Sequence, residues 1–247
     1  MIKNRTKLNI ILDVIFFALI VIIILQNKTN TVFLNTADDL AKASNIVQNG
    51  PRDKKALALT FDDGPHPIYT KKILDILKEY DVKATFFILG KHGELYPDLL
   101  YRQKQEGHEI GIHSYNHINM RKEKEEIVKD EFNSTQQIIY KTTGEKARSF
   151  RPPYGTYNQT VYDIAVANQC KIVLWTYYQD PKDWSNPGVD KIVETVLSQA
   201  TNGDIVLFHD HNEAKENQTI EALEEILPEL IKRGFKFVTV SELLSYE

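Results

Sequence analysis

The chain has 247 residues, 42% of them hydrophobic and 26% charged, with a net charge of −4 at neutral pH. That length and composition suffice to bury a core in one or two domains, and the acidic balance gives no basic surface for nucleic acid. The single cysteine, Cys170, excludes an intramolecular disulfide and a cysteine-rich zinc site; within the apolar run Cys170–Trp175 it reads as a small buried residue.

Lys3, Arg5 and Lys7 precede a stretch from Leu8 to Leu25 in which only Asn9 and Asp13 are strongly polar. At about 1.5 Å per residue such a helix is about 27 Å long, just short of a hydrocarbon core of about 30 Å. Positive charge before the span sends the rest of the chain outside. Residues 1–25 are therefore expected to be a retained signal anchor: a single-pass transmembrane helix with an extracytoplasmic domain beyond it. The rival is a cleaved signal peptide and a secreted protein, but Gln26, Asn27, Lys28 and Thr29 follow the run where small residues are wanted. No cysteine lies just after the span to carry a lipid. Residues 26–52, polar and containing Gly50-Pro51, suit a tether reaching roughly 30 Å as a flexible coil, with a short helix around Asp38–Val47 as an option.

From residue 53 to 247 the pattern alternates. β-rich runs occur at Ala56–Phe61, Ala84–Leu89, Glu109–His113, Ser149–Arg151, Cys170–Tyr177, Asp204–Phe208 and Phe235–Val240. Helical periodicity fills Ile68–Tyr80, Pro97–Glu106, Lys122–Lys141, Asn158–Asn168, Val189–Ala200 and Gln218–Arg233, with Gly107, Gly144 and Gly234 as stops. Seven strands separated by six helices predict an α/β fold of parallel strands joined by right-handed crossovers, as an incomplete barrel or an open sheet.

In such folds chemistry gathers at the carboxyl ends of the strands, and the reactive residue types lie there. Asp62 and Asp63 follow the first run, His113 and His117 the third, Arg151 and Tyr154 the fourth, Asp180 and Asp183 the fifth, His209 and Asp210 the sixth. Adjacent carboxylates at a strand end should point in opposite directions, one free to hold a metal and the other to act as a base. The His-x-x-x-His spacing puts two imidazoles on one face of a helical turn. With a carboxylate they form an Asp-His-His site that suits Zn2+, with Co2+, Ni2+ or Fe2+ able to substitute. His209 ends an apolar strand, where an imidazole can donate a proton to a leaving group. His92 and His108 read as surface residues, and His66 flanks the site without a role. Arg151 and Asp183 taken alone read equally well as an ion pair.

These segments resemble the polysaccharide deacetylase family of chitin, chito-oligosaccharide, peptidoglycan and acetyl-xylan deacetylases, with its NodB-like homology domain. Five motifs stand in order: Thr60–Pro65, His113–His117, Arg151–Tyr154, Asp180–Trp184 and Leu207–His209. The resemblance spans roughly residues 53–245 and implies a distorted (β/α) barrel. It implies that Asp62 is the general base, that Asp63, His113 and His117 hold the metal, and that His209 is the acid. Arg151 would orient Asp62, Asp183 would tune His209, the backbone N–H of Tyr154 would hold the oxyanion, and Trp184 and Leu207 would wall the acetyl methyl.

The substrate implied is an N-acetylated cell-envelope polysaccharide, with peptidoglycan N-acetylglucosamine favoured by the outward-facing anchor. Chito-oligosaccharide, poly-N-acetylglucosamine and O-acetyl xylan are the alternatives, and no obligate protein partner is implied. A glycosidase would leave the histidines without a task, and an inactive glycan-binding relative would be expected to lack a ligand, the base or the acid.

Overall fold

The computed structural model describes residues 44–211 and 218–246. Its strands are β1 (Ile46–Val47), β2 (Ala56–Asp62), β3 (Ala84–Ile88), β4 (Glu109–Ile112), β5 (Ser149–Phe150), β6 (Lys171–Val173), β7 (Ile205–His209) and β8 (Lys236–Phe237). All seven expected runs contain a strand. The order across the sheet is β1-β6-β5-β4-β3-β2-β7, and β8 pairs with the start of β2. Each pairing is parallel, so the chain is an α/β protein whose curled sheet forms an incomplete barrel.

The alternation along β2 shows how the layers are made. Leu57, Leu59 and Phe61 pack with the outer core, which includes Ile73, Leu74 and Leu77 of helix α1 (Tyr69–Glu79). Ala56 and Ala58 belong instead to an inner cluster with Phe87, Val173 and Ile205. Successive side chains of a strand face opposite ways, so Thr60 and Asp62 continue the inner column toward the barrel mouth. Full burial of each large apolar side chain contributes roughly 1.5–3 kcal/mol, and β2 is buried at all seven positions.

The expected helices appear as α1, α3 (Pro97–Gln105), α4 (Glu125–Thr143), α5 (Gln159–Ala167), α6 (Val189–Gln199) and α7 (Gln218–Lys232). Asn158 caps α5 by accepting from Val161 N at 3.0 Å. Gly107, Gly144 and Gly234 take φ of 82°, 78° and 84°, as helix stops do. Two short helices were not foreseen: α2 (Gly90–Leu95) and α8 (Val240–Leu244).

Three boundaries differ from the sequence reading. Ile46–Val47 lie inside the stretch expected to be a tether, yet they pair with Ile172–Val173, and the compact unit begins at Asn45. The run Cys170–Tyr177 is strand only as far as Val173. Beyond it, Leu174 N donates to Val47 O at 2.7 Å, Thr176 N to Ile205 O at 3.0 Å, and Leu207 N to Gln179 O at 3.0 Å. This irregular segment lies between β6 and β7, which is why the barrel is distorted there. The last run, Phe235–Val240, yields only two strand residues before α8 begins. The apolar span 8–25 and the tether up to residue 43 lie outside the described residues, among which no helix is long and apolar enough to cross a membrane.

Candidate active site

Five strand ends converge on a cavity of about 440 Å³ at the barrel mouth, lined by Asp62, Asp63, His113, His117 and His209 among others. Asp62 is the last residue of β2, and Asp63 follows with φ 75°. That left-handed turn overturns the expectation of opposed carboxylates. Asp63 Oδ1 lies 3.4 Å from His113 Nε2, and Asp62 Oδ2 lies 3.7 Å from the same nitrogen. The two acids nevertheless divide their work. Asp62 Oδ1 accepts from Arg151 Nη1 at 2.7 Å, whereas Asp63 Oδ1 lies buried with no hydrogen-bond partner.

His113 and His117 do not sit on a helical turn. Residues 113–117 form a loop in which Ser114 and His117 take φ of 67° and 63°. Ser114 Oγ accepts from His117 N at 2.9 Å. Glu131, reaching from α4, accepts from Tyr115 N, Asn116 N and Asn116 Nδ2, each at 2.8 Å. The loop delivers His117 Nε2 to 3.4 Å from Asp63 Oδ1. His113 Nδ1 donates to Arg151 O at 2.6 Å, which leaves a lone pair on its Nε2, facing the carboxylate.

Ligand atoms of Asp63, His113 and His117 all lie within 4.8 Å of one another. Bare carboxylate and imidazole lone pairs confronting one another, with Asp63 Oδ1 unpartnered, fit a divalent cation between them. Protonation fits as well. Burial alone would push the Asp63 carboxyl up, but the imidazoles of His113, His209 and His117 hold it below its ordinary value. Burial keeps the His117 imidazole below its ordinary value, in the neutral form a ligand requires.

Arg151 is completely buried. Its guanidinium donates to Val173 O at 3.0 Å, Leu174 O at 2.9 Å, Thr60 Oγ1 at 2.8 Å and Asp62, and lies 4.2 Å from the Phe87 ring centre. Asp183 instead takes His209: Oδ1 accepts from His209 Nδ1 at 2.8 Å, and Oδ2 from His209 N at 2.8 Å and Thr219 Oγ1 at 2.6 Å. The ion-pair reading of Arg151 with Asp183 is thus replaced by two separate pairs. Burial works to lower the His209 imidazole, but the charge and hydrogen bond of Asp183, with Asp62 and Asp63 nearby, raise it to about 9. The Asp183 carboxylate therefore favours the protonated form of the His209 imidazole.

Tyr154, Trp184 and Leu207 all line the cavity, as does Asp180. Tyr154 has φ 62° and its ring stands 4.7 Å from that of His117. Asp210, singled out at the same strand end, lies beneath the site: it is buried, accepts from Thr70 Oγ1 at 2.6 Å and adjoins Gly64.

Two histidines are not the surface residues expected. His108 is buried, accepts from Ala84 N at 3.2 Å and is lowered to about 4 by burial. It follows the Gly107 turn directly into the sheet, which leaves it no route to solvent. His92 donates from Nδ1 to Asp63 O at 2.7 Å. Sequence reasoning also missed Glu131 and Trp175, which lines the cavity. A glutamate on an amphipathic helix and a tryptophan in an apolar run carry no local signal of such roles.

The polysaccharide deacetylase family model matches residues 49–174. A peptidoglycan-N-acetylglucosamine deacetylase of Bacillus cereus is 44% identical over 209 residues, covering 85% of this chain and 97% of that protein. The chain belongs to the polysaccharide deacetylase family. The fold agrees with solved structures of this family. The crystal structure of a peptidoglycan N-acetylglucosamine deacetylase in complex with 4-naphthalen-1-yl-N-oxidanyl-benzamide superposes with a TM-score of 0.78 at 35% identity, over 81% of this chain and 93% of that one. A pseudoenzyme from Bacillus anthracis superposes at 0.73 with 32% identity, over 80% and 68%. The deacetylase fold is therefore shared by a pseudoenzyme as well. Here Asp62 and Asp63, His113 and His117, and His209 all line the barrel mouth.

Proposed function

We propose that this family member is a zinc-dependent hydrolase that removes N-acetyl groups from N-acetylglucosamine residues of peptidoglycan. The observation that carries the chemistry is the Asp63-His113-His117 cluster, with Asp62 and His209 beside it in one cavity. Zinc suits one carboxylate and two neutral imidazoles with open positions. The substrate follows from the Bacillus cereus relative, matched along nearly its whole length.

When bound, the ion supplies Lewis acidity, acidifying water and polarising the acetyl carbonyl. Asp62, held through Oδ1 by Arg151, presents Oδ2 to accept the proton of the attacking water. The Tyr154 backbone N–H donates to the developing oxyanion. His209 protonates the departing sugar nitrogen from Nε2, since its Nδ1 is engaged by Asp183. Trp184 and Leu207 border the space for the acetyl methyl.

Incubation with peptidoglycan, chito-oligosaccharides and acetylated xylan, with zinc and with chelator, tests this. The expected products from peptidoglycan are acetate and new free amines in equal amounts, abolished by chelation. New reducing ends without acetate would instead mean a glycosidase. Acetate released from xylan alone would mean an esterase. We further infer that residues 1–25 anchor the protein in the membrane with the catalytic domain outside, on the strength of the basic flank and apolar run. Recovery of the full chain in the soluble fraction would refute it.

A further inference from the structure

Leu89 and the first turn of α2 touch both loops that carry the proposed metal ligands. Leu89 N donates to Gly64 O at 3.0 Å, Gly90 N to Ser114 O at 3.0 Å and Lys91 N to Tyr115 O at 3.2 Å. His92 Nδ1 completes the set on Asp63 O at 2.7 Å. A carbonyl can only accept, so Nδ1 carries the proton. The approach is tight: a Cβ on Gly90 would stand 2.5 Å from both Thr135 Oγ1 and Tyr115 Cδ2. The His92 ring is itself held by His211, stacked on it at 4.4 Å with 15° between planes.

Resting on the metal reading above, we propose that His92 is a positioning residue of the metal centre. By donating to the carbonyl of Asp63 it holds that ligand in its left-handed conformation, while the amide of Leu89 holds Gly64 and those of Gly90 and Lys91 fix the 113–117 loop. Asp63 has φ 75°, a region that a residue with a side chain leaves unless its surroundings hold it there. No hydrogen bond to its inward carboxylate oxygen helps to hold it there. Fixing the backbone oxygen therefore fixes the direction of the Cα–Cβ bond from which the carboxylate is presented. In the absence of this donor, the ion would have to order Asp63 as it binds, and affinity falls accordingly.

The test is zinc affinity of the metal-free full chain, measured by competition with a chromophoric chelator, for three variants. His92→Ala removes both ring and donor. His92→Phe keeps a ring to stack on His211 without the donor. His92→Asn keeps a donor close to the position of Nδ1 without the ring. Loss of an outer partner of a metal ligand typically weakens binding about 10–100-fold, and that loss is expected for Ala and Phe, with Asn within about three-fold of the wild type. Wild-type affinity in His92→Phe, or affinity in His92→Asn as poor as in His92→Ala, would overturn the proposal. Melting temperatures of the metal-free variants establish that they fold, and if His92→Ala does not, the Phe and Asn pair decides alone. A wild-type chain that binds no zinc would sink the metal reading itself.

Discussion

Replacing Asp183 with asparagine isolates the proton-donor half of the site. Asp183 accepts from the ring and backbone nitrogens of His209, from Thr219 Oγ1 and from Trp184 N. The rise of the His209 imidazole from 6.5 to about 9 corresponds to about 3 kcal/mol of preference for imidazolium, at about 1.4 kcal/mol per pH unit. Asparagine can still accept from the ring but removes the charge that contributes most against burial, so the imidazole falls back toward its ordinary value. Its amide group also confronts the His209 backbone N–H, an unmatched buried donor that destabilises by about 1–3 kcal/mol. A bound cation lowers the imidazole in both proteins, so the difference between their profiles is what matters. The assay is kcat/KM for acetate release from a soluble chito-oligosaccharide across the neutral and alkaline range. The alkaline limb should move down by as much as about two pH units, with the rate near neutrality falling by up to about four-fold from protonation alone. An unmoved limb in a folded, zinc-binding variant refutes the coupling. Linkage supplies a second reading. With its folded value raised, His209 contributes stability fully below pH 6.5 and loses it as pH rises through about 9. In metal-free protein, the substitution should therefore destabilise more in mild acid than in strong alkali.

Asp62→Asn should abolish turnover while zinc stays bound, whereas His117→Ala should lose the metal; isothermal titration and acetate assays on both variants separate the roles, and full activity in either removes its assignment. Arg151→Lys keeps the charge but cannot reach four acceptors at once, so unfolding stability should drop by about 2–4 kcal/mol. An unchanged denaturation midpoint contradicts this. Burial, against the hydrogen bond from Thr70 and with Asp63 nearby, raises Asp210 to about 7. Ionising it in the folded state is unfavourable, so Asp210→Asn should gain on the wild type as pH rises from 3.8 through about 7. A constant gap in urea midpoints across that window tells against it.

The strands were legible because their β-rich runs are bounded by glycine stops and separated by helical periodicity, and the chemistry was legible because reactive residues cluster at their carboxyl ends. What could not be read was conformation at single residues. Asp62 and Asp63 looked opposed because an extended strand alternates, and the left-handed φ at Asp63 cancels that rule. The His113–His117 spacing looked helical, yet the same convergence is achieved by a loop whose anchor, Glu131, lies on a helix that declares only its amphipathic face. Leu89–His92 acts largely through main-chain amides, which no side-chain pattern reveals. Ile46–Val47 was too short to register as a strand, because a pair of apolar residues is common in any polar segment.

Asp63, Ser114, His117 and Tyr154 all hold backbone angles that glycine or asparagine adopts more easily. Exchanging Asp63 or His117 would relieve the main chain while removing a proposed metal ligand, so a lineage released from selection for turnover would drift downhill toward a quieter, sturdier protein of the same shape. Persistence of the barrel in a descendant would then say nothing about whether it still works.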